Sequence, residues 1–132
     1  MNRSDFGILR NMVNAIGPLA LAGALGVLAR WSIGRFLPWP GGFPWATLFI
    51  NSIGCLLIGL AAGFSKRLPV EWLNIICIGF LGGFTTLSAF SIETILLVER
   101  GQGIVAMVYY LLTPFLGVLL AFLGLRLGQW GP

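Results

Sequence analysis

The chain has 132 residues, of which 58% are hydrophobic and 9% are charged, and its mean hydropathy is +0.95. A soluble domain of this length needs far more charged surface, so the composition indicates one compact integral membrane domain in the lipid bilayer. The eight basic residues give a net charge of +4, but they are scattered over loops and helix ends, which argues against a nucleic-acid partner.

The amino-terminal residues are more polar than the rest of the chain. Arg3, Asp5 and Arg10 precede the first apolar run, and we interpret residues 1–13 as an N-terminal surface tail, with a short interfacial helix as the alternative. A cleaved signal peptide would require a small-residue cleavage motif behind its apolar core, and none is evident before Arg30.

Four apolar runs in residues 14–128 have the length of membrane-spanning helices. They are predicted at about Asn14 to Ile33, Trp45 to Phe64, Trp72 to Val98 and Ile104 to Leu127. The short connections carry proline, glycine or charged residues, so consecutive helices are expected to be antiparallel neighbours. The predicted fold class is therefore an all-α membrane protein with four transmembrane helices.

Basic residues are divided almost evenly between the two membrane sides. The side that holds both termini and the second loop carries five of them and the other side carries three: Arg3, Arg10, Lys66, Arg67 and Arg126 against Arg30, Arg35 and Arg100. This is a weak positive-inside signal. Either the signal is simply noisy, or the protein inserts in both orientations and pairs with an inverted copy of itself.

The inventory of reactive side chains does not favour catalysis. The chain has no histidine, and of its four acidic residues only Glu93 falls within a predicted span. A hydrolase or transferase would need a nucleophile with a base, or paired carboxylates. We therefore do not expect an enzyme, and Glu93 is either a helix-end residue or a functional one.

Two polar residues in the first half of the chain have more than one interpretation. An amide within hydrocarbon needs a partner, so Asn51 either bonds a neighbouring helix or donates its amide hydrogens to an anion. Arg30 is by default an interfacial anchor that extends to the membrane surface; the alternative is a cation at a vestibule.

The segment from Gly82 to Ser91 combines two adjacent glycines with four hydroxyl residues inside an apolar span. Glycine weakens a helix, and irregular backbone at membrane depth is tolerated only where it is buried or faces a cavity. The segment predicts a third helix that is broken in mid-membrane and lines a polar path. The simpler interpretation is that Gly82 and Gly83 only permit close helix crossing.

Three motifs, in this order and at this spacing, resemble the Fluc (CrcB) family of fluoride ion channels. They are Gly23-Ala-Leu-Gly-Val-Leu-Ala-Arg30-Trp31, Thr47-Leu-Phe-Ile-Asn51, and Gly82-Gly-Phe-Thr-Thr-Leu-Ser-Ala-Phe-Ser91 followed by Glu93. The resemblance covers roughly Leu19 to Gly128. It implies an antiparallel, dual-topology homodimer with two fluoride pathways, a broken third helix and a central sodium ion that is structural and not transported.

The resemblance also implies roles for individual residues. The backbone carbonyls of Gly82 and Thr85 would bind sodium together with those of the inverted copy. Asn51 would line the anion route, and Phe90 would present its electropositive ring edge to the ion. The family usually has a second phenylalanine three residues earlier, where this chain has Leu87, which puts one anion position in doubt.

Several hydroxyl residues are weaker candidates for the anion pathway. Thr86, Ser88 and Ser91 would continue a polar track along the third span. A donor from the fourth span would come from Tyr109, Tyr110 or Thr113. Each of these hydroxyls has the alternative of bonding a carbonyl of its own helix.

The sequence thus predicts a four-helix channel domain that exports fluoride passively across the bacterial inner membrane and lowers intracellular fluoride. The rival hypothesis is a small multidrug-resistance-type exporter, which also inserts in both orientations. Such an exporter needs a carboxylate in the membrane, normally in the first span, and residues 14–33 contain none. A packing subunit of a larger membrane complex is a third alternative.

Overall fold

The computed structural model describes residues 3–130, and helices are the only regular elements within this range. In chain order they are α1 (Arg3–Phe36), α2 (Trp45–Gly63), α3 (Val70–Asn74), a π-helical segment (Ile75–Leu81), α4 (Gly82–Phe84), α5 (Leu87–Glu99) and α6 (Gly103–Gln129). The prediction of an all-helical chain is confirmed.

Four helical stretches are long and apolar enough to cross a membrane: Val13–Phe36, Trp45–Gly63, Val70–Glu99 and Gly103–Gln129. They match the four predicted spans, with bounds that differ by no more than three residues. The third stretch has 30 residues, well above the roughly 20 that a straight helix needs. We call Val70–Glu99 the third span.

α1 extends into the residues that the sequence predicts as a surface tail, since it begins at Arg3 and has 34 residues. At 1.5 Å per residue this helix is about 50 Å long, more than a bilayer core requires. No proline precedes Pro18, so nothing in the local sequence ends the helix between the tail and the span. Residues 1 and 2 lie outside the described residues.

α2 and α6 run in the same direction and touch along their backbones. A Cβ atom added to Gly59 would overlap the carbonyl oxygen of Ala121, and one added to Gly63 would lie 2.7 Å from the Cα atom of Gly128. Small residues allow such close helix approach in membranes. The two helices therefore form a tight parallel pair.

α1 makes a similar contact with the first half of the third span. A Cβ atom on Gly26 would overlap the carbonyl oxygen of Phe80 and lie 2.9 Å from the nitrogen of Phe84. The buried residues Ile50, Leu81 and Phe84 form one core cluster beside this contact. A second cluster lies between α2, α5 and α6 and contains Leu48, Leu97, Ala106 and Tyr109.

Candidate functional site

The helical backbone of the third span is interrupted at two threonines, which we call the break. Thr85 (φ −81°, ψ 160°) and Thr86 (φ −151°, ψ 113°) are both extended. The Thr85 amide and hydroxyl both donate to the carbonyl of Leu81, at 3.0 and 2.9 Å, which completes the helix before the break. The Thr86 hydroxyl accepts from the amide of Ala89 at 3.1 Å and caps α5.

Asn51 on α2 replaces hydrogen bonds that the backbone loses at the break. Its Nδ2 donates to the carbonyl oxygen of Thr86 at 3.1 Å, and the Thr86 amide donates to its Oδ1 at 2.9 Å. A side-chain amide thus pairs with both backbone groups of one residue, Thr86, as a neighbouring strand would. The interhelical bonding that the sequence offered as one role for Asn51 is present, and a second Nδ2 hydrogen remains for another acceptor.

An open recess of about 380 Å³ lies beside the break. We call it the central recess, and it is lined by Asn51, Gly54, Cys55, Ile58, Cys77, Leu81, Gly82, Thr85, Thr86 and Leu87. Thr85 lies outside the helices, and no hydrogen bond from another described residue reaches its carbonyl oxygen. Unpaired carbonyls of an unwound helix are suitable ligands for a small hard cation.

A carboxylate lies two helical turns beyond the break. Glu93 accepts from the Thr47 hydroxyl at 2.8 Å through Oε1 and from the Tyr109 hydroxyl at 2.7 Å through Oε2. These bonds join α2, α5 and α6 at one point. The sequence predicted no partner for Glu93, although Glu93 follows Thr86 by seven positions and so shares its helix face.

Phe90 lies between the break and Glu93 along α5. Its ring centroid is 5.1 Å from that of Tyr109 and 6.0 Å from that of Tyr110. Thr47 and Asn51 are four residues apart and lie on one face of α2. We use the name polar column for the polar and aromatic groups that follow one another along these helices: Asn51, Thr86, Phe90, Glu93 and their hydroxyl partners.

The other predicted pathway residues differ in their surroundings. The Ser88 hydroxyl is 3.2 Å from that of Thr86, so it extends the cap of α5. Ser91 instead donates to the carbonyl of Leu87 in its own helix at 2.9 Å. Leu87 is 76% exposed at the edge of the central recess and offers no aromatic ring edge there.

The two remaining fourth-span candidates differ in burial. Thr113 is 8% exposed, and its hydroxyl has no hydrogen-bond partner among the described residues. Tyr110 is 57% exposed and only stacks on Phe90. Thr113 is one turn from Tyr109 on the same face of α6, so its hydroxyl is the next donor along this helix.

Arg30 lies apart from the polar column. It is half-buried near the end of α1, and its helix neighbours Ala29 and Ile33 pack against the cluster that contains Ile50. The structure gives it no ion pair among the described residues. Both sequence interpretations, an anchor and a vestibule cation, stay predictions.

Comparisons with known proteins agree over most of the chain. A family model described as CrcB-like protein, Camphor Resistance (CrcB) matches residues 18–125. A protein of Thermus thermophilus named fluoride-specific ion channel FluC is 46% identical over 114 residues, which is 83% of this chain and 90% of that protein. Proteins of the same name from Oceanobacillus iheyensis and Pseudomonas fluorescens are 41% and 38% identical, covering 83% and 88% of this chain and 88% and 98% of theirs.

Proposed function

The chain belongs to the CrcB family, and we propose that it is a fluoride-specific ion channel through which fluoride leaves the cell passively, so that intracellular fluoride falls. The observation that carries this function is the 46% identity over 83% of the chain to a protein named as such a channel. The chain is a multi-pass membrane protein, and the bacterial inner membrane fits its four apolar spans. A passive channel of this kind needs no catalytic residue.

The polar column is our proposed anion pathway. A small anion loses a large hydration energy on leaving water, so its path must present many donors close together. The free Nδ2 hydrogen of Asn51, the hydroxyl of Thr113 and the electropositive ring edge of Phe90 supply such contacts. Tyr109 and Thr47 point their hydroxyls at Glu93 and keep that carboxylate in place.

An inverted second copy is our proposed partner. Irregular backbone cannot face lipid, because its polar groups would have no hydrogen-bond partners there. The central recess opens at the surface of a single chain and includes Gly82 and Thr85, so another protein surface has to cover it. The near-even distribution of basic residues allows the same chain to insert both ways, which supports an antiparallel, dual-topology homodimer with the break midway across the membrane.

A structural sodium ion is consistent with the same recess. Gly82 and Thr85 both line the recess, and the Thr85 carbonyl accepts no hydrogen bond from the described residues. An inverted copy would bring the same two carbonyls to them. Four hard oxygen ligands suit a small cation at a broken helix. Bound there, sodium would supply a fixed positive charge that stabilises the carbonyl dipoles at the break.

Fluoride efflux from liposomes that hold the purified chain tests the function. A fluoride-selective electrode should record rapid efflux, and liposomes loaded with chloride should release that ion far more slowly. Replacing sodium by N-methylglucamine on both sides should suppress the fluoride efflux if the ion is structural. Equal rates for fluoride and chloride would refute the proposed selectivity, whereas efflux that persists without sodium would remove only the sodium site.

The two tyrosines at the start of α6 give a matched pair of variants. Tyr109→Phe removes a hydrogen bond to a charged group, which contributes about 1.5–3 kcal/mol, and we expect at least about tenfold slower fluoride efflux. Tyr110→Phe should conduct at the native rate, because its exposed hydroxyl bonds no described residue. The same electrode assay measures both, and a larger loss in Tyr110→Phe would contradict the assignment.

A further inference from the structure

A second polar recess lies at the far end of the α2 and α6 pair, away from the polar column. Its volume is about 250 Å³, and we call it the end recess; it is lined by Ala62, Gly63, Ser65, Lys66, Arg67 and Gln129. Gly63 and Gly128 bring the two backbones together beside it. Because these residues lack side chains, the long polar side chains around them border an open space.

The lining of the end recess is cationic. Lys66 and Arg67 provide two positive charges, Ser65 and Gln129 provide neutral hydrogen-bond donors, and none of the described lining residues is acidic. Arg67 is held in position, since its Nη1 donates to the carbonyl of Gly128 at 3.4 Å and its guanidinium lies 5.7 Å from the centre of the Phe64 ring. Cations beside neutral hydrogen-bond donors are suited to an anion.

The end recess lies where two spans end, which is the depth of lipid headgroups. α2 ends at Gly63 and α6 at Gln129. One turn before that end, the Arg126 guanidinium lies 5.0 Å from the centre of the Phe122 ring. Leu123 and Leu127 are exposed on the last turns of α6, so apolar side chains lie within two helical turns of Gln129.

We propose that the end recess binds the phosphate of an anionic phospholipid, whose acyl chains lie along the exposed leucines of α6. Basic pockets between membrane helices at the headgroup level bind such lipids. Inorganic phosphate has the same charged oxygens but no acyl chains, so it would use Lys66 and Arg67 without the apolar surface. Cations and exposed leucines occur together at this end of the helices, and this favours a phospholipid over inorganic phosphate as the ligand. This site is independent of the ion that the protein conducts.

Thermal unfolding of the purified full-length protein in detergent tests the proposal. Titration with phosphatidylglycerol should raise the unfolding midpoint, whereas phosphatidylcholine and inorganic phosphate at equal concentration should not. Lys66→Gln should weaken the apparent affinity for phosphatidylglycerol about fivefold, as expected for one basic residue near anionic lipid. Lys66→Arg should restore that affinity.

Arg35→Gln is the matched control, because it also removes one exposed cation but lies at the opposite end of the helices. Its response to phosphatidylglycerol should equal that of the native chain. An equal loss in Arg35→Gln and Lys66→Gln would show only a general charge effect and overturn the site. A midpoint that rises as much with inorganic phosphate as with phosphatidylglycerol would overturn the lipid as its ligand.

Discussion

Asn51→Ala is expected to abolish most fluoride efflux. The substitution leaves both the amide and the carbonyl of Thr86 without the bonds of 2.9 and 3.1 Å that Asn51 makes. An unsatisfied buried polar group costs about 1–3 kcal/mol, so the backbone at the break will move to find other partners. Since the same residue is our proposed fluoride donor, efflux should fall by at least about tenfold. The fluoride electrode on proteoliposomes measures this loss.

Asn74→Ala is the matched control for that variant. Asn74 is an exposed asparagine at the end of α3, and its side chain caps no helix. The control should retain the native efflux rate, and it should elute from a size-exclusion column at the same volume as the native protein. Native efflux in Asn51→Ala would exclude the Asn51 bonds to Thr86 from function, and equal losses in the two variants would point to a general defect instead.

Gly59→Ala is expected to cause a large loss of stability. The added Cβ atom would overlap the carbonyl oxygen of Ala121 and lie 2.9 Å from its carbonyl carbon. Both atoms belong to the backbone of α6, so the helices can relieve the overlap only by moving apart. Overpacking of this kind costs about 1–3 kcal/mol or more. A lower thermal unfolding midpoint in detergent is the expected result, and efflux should fall with it because α2 and α6 carry opposite sides of the polar column.

Gly34→Ala is the matched control for Gly59→Ala. Gly34 lies in α1, and a Cβ atom added to it would meet nothing within 4 Å. Alanine is favoured over glycine in a helix by up to about 1 kcal/mol, so this variant should unfold at or slightly above the native midpoint. If Gly59→Ala were as stable as Gly34→Ala, the close α2 and α6 contact would not be present in the membrane.

Hydropathy alone predicted the four spans, because the bilayer thickness fixes how many apolar residues each helix requires. The two glycines and four hydroxyl residues between Gly82 and Ser91 also predicted which segment contains the break. In contrast, the bond between Thr47 and Glu93 joins residues 46 positions apart. A single sequence gives no measure of which distant side chains meet, so Glu93 had no predicted partner.

Two further features of the backbone were not predictable from composition. The π-helical segment at Ile75–Leu81 has the same apolar residues as any membrane helix, and it packs closely against α1, where a Cβ atom on Gly79 would lie 2.8 Å from that of Ala22. Residues 1–13 were interpreted as a surface tail or a short interfacial helix, whereas α1 begins at Arg3 and continues without a break into the first span. Sequence patterns are thus least informative where tertiary contacts determine the backbone.

The pairing of Asn51 with Thr86 also has a consequence for biogenesis. Ribosomes synthesise the amino end first, so Asn51 is made before Thr85 and Thr86. When the third span follows, Asn51 offers hydrogen bonds to the amide and the carbonyl of Thr86, which would otherwise have no partner in hydrocarbon. The order of these segments along the gene therefore suits the order in which their hydrogen bonds have to form.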